Sequence, residues 1–411
     1  MELDHIAADW GALAEERLAE TVSLRRAIHA DPEIGLHCPR TTEKVKAALA
    51  GLPLELREGS STTGLIAILR GGAGGGAAAG NGRTVLLRGD MDALPMQEET
   101  GLPFASLTPG AMHACGHDSH TAMLVGAAKA LCARADELPG TVVFMFQPGE
   151  EGYHGARAMI EDGLLDVAPA DAAFALHISP NMPLGVVVNR AGTLMASTDT
   201  VSATITGRGG HAAMPHDCLD PIPIACEIVA ALNSYIARQV PVTDPAVLSI
   251  TKFIAGTAHN IVPSSVELLG TMRTLSEERR AEVRAAFVRI VQGIAAAHGA
   301  SGEARIEPGY PVTVNDERAT ALVRDCAEAL AGGDGGAWAS MPPMMGAEDF
   351  SYVLQKVPGA MSFIGAAPAG SDPATNPPLH NTRMLIDEAV MAKGIAMHCA
   401  VATRFLNNGF G

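Results

Sequence analysis

A cysteine and a histidine stand two residues apart at Cys115 and His117, inside the stretch MHACGHDSHTAML that begins at Met112. Side chains at this spacing alternate across a turn, so both can reach one ion. An imidazole beside a thiolate suits zinc or a similar borderline metal. Alone, the pair is a weak signal. Glu151, His177 and His380 strengthen it, because each falls at a strand end or in a Gly/Pro-rich loop where an isolated core histidine is out of place. Together these residues could supply ligands for two divalent ions. His113 and His120 of the same stretch read as surface or loop-capping residues.

The second chemical feature is PGEEG, which puts Glu150 and Glu151 directly after an apolar run. Neighbouring side chains on extended backbone point opposite ways, so one carboxylate can bind metal while the other faces the crevice. A carboxylate near a metal-bound water, but not itself a ligand, is what hydrolysis needs as general base. The plainer alternative for this dipeptide is a solvated acidic turn.

These residues need a frame. RTVLLRGDMDALP, GTVVFMFQPGEEG and AAFALHISP read as buried strands, and Thr21–Ala30, SHTAMLVGAAKALCARA and GARAMIEDGLL as helices. Strands alternating with helices predict a mixed, mostly parallel α/β sheet flanked by helices. In such sheets the ligand crevice lies beyond the carboxyl ends of the strands. Asp90 and Asp92, then Glu150 and Glu151, then His177 follow three of them. The glycine-rich segment GGAGGGAAAGNG at 71–82 lacks the Lys-Ser/Thr of a phosphate loop, so it reads as a flexible strand-to-strand connection.

From about Thr193 the pattern becomes strand-helix-strand-strand-helix-strand, the order of a ferredoxin-like α+β unit. Its second helix starts at Ser276 as N-cap, with Glu277 and Glu278 in the first turn and Val283, Phe287, Ile290, Val291 and Ile294 on one face. The expected organisation is therefore a catalytic domain over 1–192 and 309–411, interrupted by an inserted lid or dimerisation domain over 193–308.

Bulk properties narrow the function. The chain has 411 residues, too many for a single core, and a formal net charge of −16. That charge repels phosphate backbones and anionic surfaces, so neither nucleic acid nor membrane is an expected partner. No apolar run is long enough to span a bilayer. The acidic N-terminus does not read as a signal peptide. Seven cysteines without framework spacing suit a reducing compartment, and the cytoplasm is the expected location.

GDMDALP, MHACGHDSHTAML, FQPGEEG, GRGGHAAMPH, HNIVP, GTMRT, GAEDFS and LHN occur in an order that resembles the zinc-dependent family of aminoacylases, carboxypeptidase G and succinyl-diaminopimelate desuccinylase. The nearest resemblance is to its amidohydrolase branch, with hippurate hydrolase and the plant auxin-conjugate hydrolases, over roughly residues 20–390. The resemblance implies a dinuclear centre of two divalent ions, zinc foremost, with manganese, cobalt or nickel as alternatives. Its ligands would be Cys115, His117, Glu151, His177 and His380, with Cys115 bridging and Glu150 as general base. The wider family has His-x-Asp where this chain reads Asp90-Met-Asp92. His117 looks like the replacement, which leaves Asp90 outside the ligand set and Asp92 as an orienting residue behind the ligands.

The resemblance further implies that His211 polarises the scissile carbonyl, often across a dimer interface, so a homodimer or higher homo-oligomer is expected. Asn260 and Arg273 match residues that hold the substrate carboxylate. They lie thirteen residues apart at what read as the loop ends of neighbouring strands, where they could face one another. The implied reaction is cleavage of an N-acyl amino acid to a carboxylic acid and a free amino acid. A dipeptidase or carboxypeptidase on the same scaffold is the alternative. Two departures flank the implied pocket. LHISPNMPLG has no aromatic residue after His177, and Arg383 stands where branch members often carry an aromatic or apolar residue.

Overall fold

The frame of the candidate site is an eight-stranded mixed sheet. Its labelled strands are β1 (Leu54–Glu58), β2 (Leu65–Arg70), β3 (Thr84–Asp90), β4 (Thr141–Gln147) and β5 (Ala172–Ser179), joined by Val187–Asn189, Trp338–Ser340 and Gly359–Gly365. The spatial order is β1, β2, β4, β3, β5, then Gly359–Gly365, Val187–Asn189 and Trp338–Ser340. The centre is parallel: β3 pairs in parallel with β4 and β5, and β5 with Gly359–Gly365. Parallel strands covered on both faces read as continuous apolar runs, which is why TVVFMFQ and AAFALHIS are buried along nearly their whole length. The computed structural model describes residues 2–73, 82–167, 169–332 and 337–411. Residues 74–81 of the glycine-rich connection lie outside the described residues.

Helices α1 (Glu2–His29), α2 (Pro39–Leu49) and α3 (His117–Cys132) cover the sheet together with Val390–Asn408 and Glu317–Leu330. One apolar core joins them, including Leu87, Phe144, Phe146, Leu124, Ile395 and Phe405. α3 is buried at fifteen of its sixteen positions, the polar run from His117 to Thr121 included, so it is enclosed all round rather than on one face. It presses so closely on β3 that a Cβ at Gly89 would lie 2.8 Å from the carbonyl oxygen of His120. Three local expectations change. α1 begins at Glu2 rather than Thr21. α3 begins at His117 rather than Ser119. β1, antiparallel to β2, was not expected, because LELRE at a half-exposed sheet edge carries no apolar run to reveal it.

The chain divides into two compact units, one of residues 1–194, 314–342 and 349–411, the other of residues 195–313 with 343–348. The expected insertion limits were 193 and 308. The second unit holds a four-stranded antiparallel sheet in the order Ala246–Ala255, Ser265–Thr274, Ser197–Thr206, Ser301–Pro308. Helices Pro221–Gln239 and Glu277–Ala297 supply the rest of its own core. This is the ferredoxin-like arrangement. Ser276 caps the second helix by accepting the Arg279 N–H, and Val283, Phe287 and Val291 are buried beneath it.

Candidate metal centre

The turn 112–117 is held at its start and near its middle. Met112 exchanges two backbone hydrogen bonds with Leu94, and the His380 N–H donates to the Ala114 carbonyl at 2.8 Å. Gly116 sits at φ 84°, a left-handed conformation that glycine adopts without strain. A Cβ there would also meet Ile178 at 2.5 Å. This single residue turns the chain so that Cys115 ends one segment and His117 opens α3. His380 is one of two non-glycine residues with positive φ among those described, at 64°. Such backbone strain persists where surroundings over-determine it, and it clusters at functional positions.

The side chains of the turn meet others from the ends of β4 and β5. Cys115 Sγ lies 3.4 Å from His177 Nε2, and His380 Nε2 lies 3.1 Å from Glu151 Oε1. Ligand-capable atoms of Cys115, His117 and His177 form one group within 4.8 Å, and those of Cys115, Glu151 and His380 form a second. Cys115 belongs to both. His117, Glu150 and Glu151 form a further group on the same criterion. His177 is inside β5 rather than after it, opposite Phe363 of the neighbouring strand.

The imidazoles are oriented from behind. His177 Nδ1 donates to the Ile178 carbonyl at 2.7 Å, and His117 Nδ1 to the Asp92 carbonyl at 2.9 Å. In each ring the neutral tautomer then carries its lone pair on Nε2. His117 Nε2 is buried without a hydrogen-bond partner among the described residues, a costly arrangement for an atom that nothing coordinates. Asp92 also fixes the carboxylates, since its Oδ1 accepts the Glu150 N–H at 2.9 Å and its Oδ2 the Glu151 N–H at 3.0 Å.

Charge is tightly balanced here. Burial drives the Cys115 thiol pKa up, against the pull of His117. Burial opposes a charged His117, but Asp90 and Cys115 outweigh it and hold its pKa well above the usual imidazole range. Burial first, and then the neighbouring imidazole of His120, push His177 well below that range. Hydrogen bonds to Cys115 and Glu151 raise His380 to about 10. The raised pKa values of His117 and His380 report how much negative charge these side chains gather around Cys115 and Glu151, and a divalent cation held there would balance it, at the expense of the protons its ligands must give up. The donor set of one thiolate, one carboxylate and three imidazoles fits zinc or another borderline divalent ion.

Two expectations for the turn are corrected. His113 and His120 are both only 1% exposed, not surface residues. His120 Nδ1 donates to Asp90 Oδ1 at 2.6 Å and its Nε2 accepts the Ile178 N–H at 2.9 Å. Among the described residues His113 has no hydrogen-bond partner at either ring nitrogen, and burial drops its pKa to about 3. Asp90, left outside the ligand set, forms a buried group with His117 and His120. Arg88, Gln147 and Asp349 also escaped notice. The one available signal was a charged Arg88 inside the otherwise apolar TVLLRGD.

The remaining expected residues belong to the second unit. His211 lies on the two-residue strand Gly210–His211, which pairs with Ile261–Val262. It is exposed, and its Nδ1 accepts the Ala213 N–H at 3.1 Å. Asn260 is beside it, its carbonyl accepting the Ala212 N–H at 3.0 Å. Arg273 is elsewhere. It sits opposite Thr198 and Val247 near the far end of Ser265–Thr274, partly buried, with Nη1 bonded to Thr271 and to the Met272 carbonyl. The extended backbone from Ser265 to Arg273 alone spans roughly 26 Å. Asn260 and Arg273 of one chain therefore do not face one another. The chain between them runs on as one antiparallel ribbon instead of turning back.

A model of peptidase family M20/M25/M40 matches residues 86–404. Thermostable carboxypeptidase 1 of Saccharolobus solfataricus is 37% identical over 94% of this chain and 95% of its own. The IAA-amino acid hydrolase ILR1-like 4 of Arabidopsis thaliana is 34% identical over 94% of this chain and 85% of its own. Among solved structures, the YXEP protein of Bacillus subtilis, described as a dinuclear metal-binding peptidase, superposes with a TM-score of 0.81. It is 33% identical, covering 96% of this chain and 99% of that one.

Proposed function

The chain belongs to peptidase family M20/M25/M40, a family of amide-bond hydrolases, and on that premise we propose that it cleaves N-acyl amino acids at a centre of two divalent ions. The observation that carries this reading is the double membership of Cys115, which joins His117 and His177 in one donor group and Glu151 and His380 in the other. We assign these five residues as ligands, with Cys115 shared and zinc as the resident metal. Ions bound there would polarise the substrate carbonyl and make water acidic enough to attack at neutral pH.

Glu150 is left for proton transfer. Asp92 fixes its backbone as it fixes that of Glu151, so the two neighbouring carboxylates can hold different tasks. Glu150 takes a proton from the attacking water and delivers it to the departing amine nitrogen. His211 adds a donor to the carbonyl oxygen as charge develops there, and Asn260 and Arg273 hold the substrate carboxylate. His211 and Asn260 are near each other and far from Arg273, so one chain cannot offer all three to one substrate. We assign the protein as a homodimer in which His211 and Asn260 serve the site of the other copy. No helix among the described residues is long and apolar enough to cross a membrane, and the cytoplasm is the proposed location.

The relative described as a carboxypeptidase favours a second reading, cleavage of peptides. The two separate on whether the substrate needs a free α-amino group. A panel of N-acetyl, N-benzoyl, long-chain acyl and indole-acetyl amino acids is run beside dipeptides, with zinc, manganese or cobalt added. Turnover of the blocked compounds alone is the expected result. In the same assay Glu150→Gln should lose about two to four orders of magnitude in turnover while retaining its metals. Loss of the metals as well would make Glu150 a ligand and reverse the assignment of the pair.

A further inference from the structure

Behind the ligands lies a buried cation with no place in the proton chemistry. Arg88 and Asp90 stand two apart on β3 and share one face of it. Arg88 is 2% exposed, and a guanidinium that deep must find acceptors for its donors. Its Nη1 donates to Asp90 Oδ2 at 2.5 Å, its Nε to Gln147 Oε1 at 2.9 Å and its Nη2 to Asp349 Oδ1 at 3.3 Å. Gln147 Nε2 donates to the same Asp349 oxygen at 2.7 Å. Three acceptors from three chain segments meet one planar fork.

The two carboxylates lead to opposite halves of the centre. Asp90 Oδ1 receives His120 Nδ1, and His120 in turn accepts the N–H of Ile178, the residue after His177. Asp90 Oδ2 is also 3.4 Å from His117 Nε2. This is the imidazole half. Asp349 Oδ2 accepts the Ala156 N–H at 2.8 Å, which pins the start of Gly155–Glu161 and with it the end of the turn that carries Glu150 and Glu151. This is the carboxylate half.

A buried ion pair is weak evidence for stability, because desolvation consumes most of the attraction. Its value must be sought in the geometry it enforces. We propose that Arg88 is a positioning residue whose guanidinium fork locks the imidazole half of the metal centre, through Asp90, to the carboxylate half, through Asp349. The fork matters beyond its charge, because an ammonium is a point donor that cannot reach three acceptors in one plane. The inference rests on the assignment of the metal centre above.

The test is metal binding, which is independent of turnover. Zinc affinity of the metal-free wild type, Arg88→Lys and Arg88→Met is measured by competition with a chelating dye. The absorption of each protein saturated with cobalt(II) is recorded beside it. Arg88→Lys keeps the charge and loses the fork. It should bind both ions about tenfold more weakly, within the usual cost of removing support behind a ligand, and its cobalt ligand-field bands should shift at saturation. Arg88→Met should lose more, and if it does not fold, Arg88→Lys carries the test alone. A lowered melting temperature with wild-type affinity and an unshifted cobalt spectrum would overturn the proposal, since that is the signature of a structural ion pair. Wild type that binds zinc but hydrolyses none of the N-acyl amino acids would tell against the functional reading only.

Discussion

His29 closes α1 and is 1% exposed, yet both its ring nitrogens face carboxylates. Nδ1 is 2.8 Å from Asp118 Oδ2 and Nε2 is 3.2 Å from Glu98 Oε1. A neutral ring has one donor, so this pairing calls for the imidazolium. Burial opposes that charge, but Asp118 and the hydrogen bond to Glu98 outweigh it, even with Arg25 nearby, and raise the pKa from 6.5 to about 9. Arg25 Nε also donates to Asp118 at 2.9 Å, and the rings of Phe104 and His113 complete the surroundings. At about 1.36 kcal/mol per pH unit, the gap between 6.5 and about 9 is on the order of 3 kcal/mol of stability.

The sign follows from a pKa raised on folding. The contribution is fully present below pH 6.5 and is lost as pH rises through about 9. Asp118 directly follows His117, so the effect falls on the start of α3. We expect His29→Gln to lower protection of α1 and α3 strongly at pH 6 and little at pH 9.5. Hydrogen-exchange mass spectrometry of peptides from these helices, with metal saturating, isolates the first unit from the second. Exchange rates are corrected for their intrinsic pH dependence. A difference between wild type and variant that stays constant from pH 6 to 9.5 would refute the charged state of His29.

Cys115 held between two ions should be a shielded thiolate, so iodoacetamide should label it readily only after chelation; equal labelling with and without metal removes it from the ligand set. Mixing His211→Ala with Glu150→Gln, each inactive alone, should restore part of the activity by pairing one intact His211 with one intact Glu150. No recovery after proven subunit exchange means that His211 works within its own chain or not at all.

The parts of the site that were legible are those whose chemistry is local in the sequence. Cys115 and His117 are separated by one glycine, and Glu150 and Glu151 are adjacent, so residue type and backbone parity suffice. The strands behind them were legible because a sheet buried on both faces forces unbroken apolar runs. What stayed hidden depends on contacts remote in sequence. Nothing local tells that Arg88 meets Asp349, 261 residues away. His120 and His113 read as surface or loop-capping residues because periodicity does not reveal how deeply α3 and the turn before it sit in the core. β1 was missed for the opposite reason, having too little burial to leave a pattern.

The separation of Asn260 from Arg273 shows how spacing misleads. Thirteen residues with a strand between them suit a chain that turns and comes back, which brings its ends together. Here the ladder continues past the end of Ser197–Thr206, with the Gly207 N–H donating to the Ser264 carbonyl and His211 opposite Ile261. The intervening residues therefore add distance instead of closing it. On the proposed homodimer, a carboxylate held by both Asn260 and Arg273 would touch two copies of the sheet, and residues that share a substrate would then be ones kept apart within one chain. In a two-fold dimer the same operation that brings one such pair together creates the second pair elsewhere. Two composite sites, each with donors from both chains, would make activity depend on assembly as directly as on Glu150.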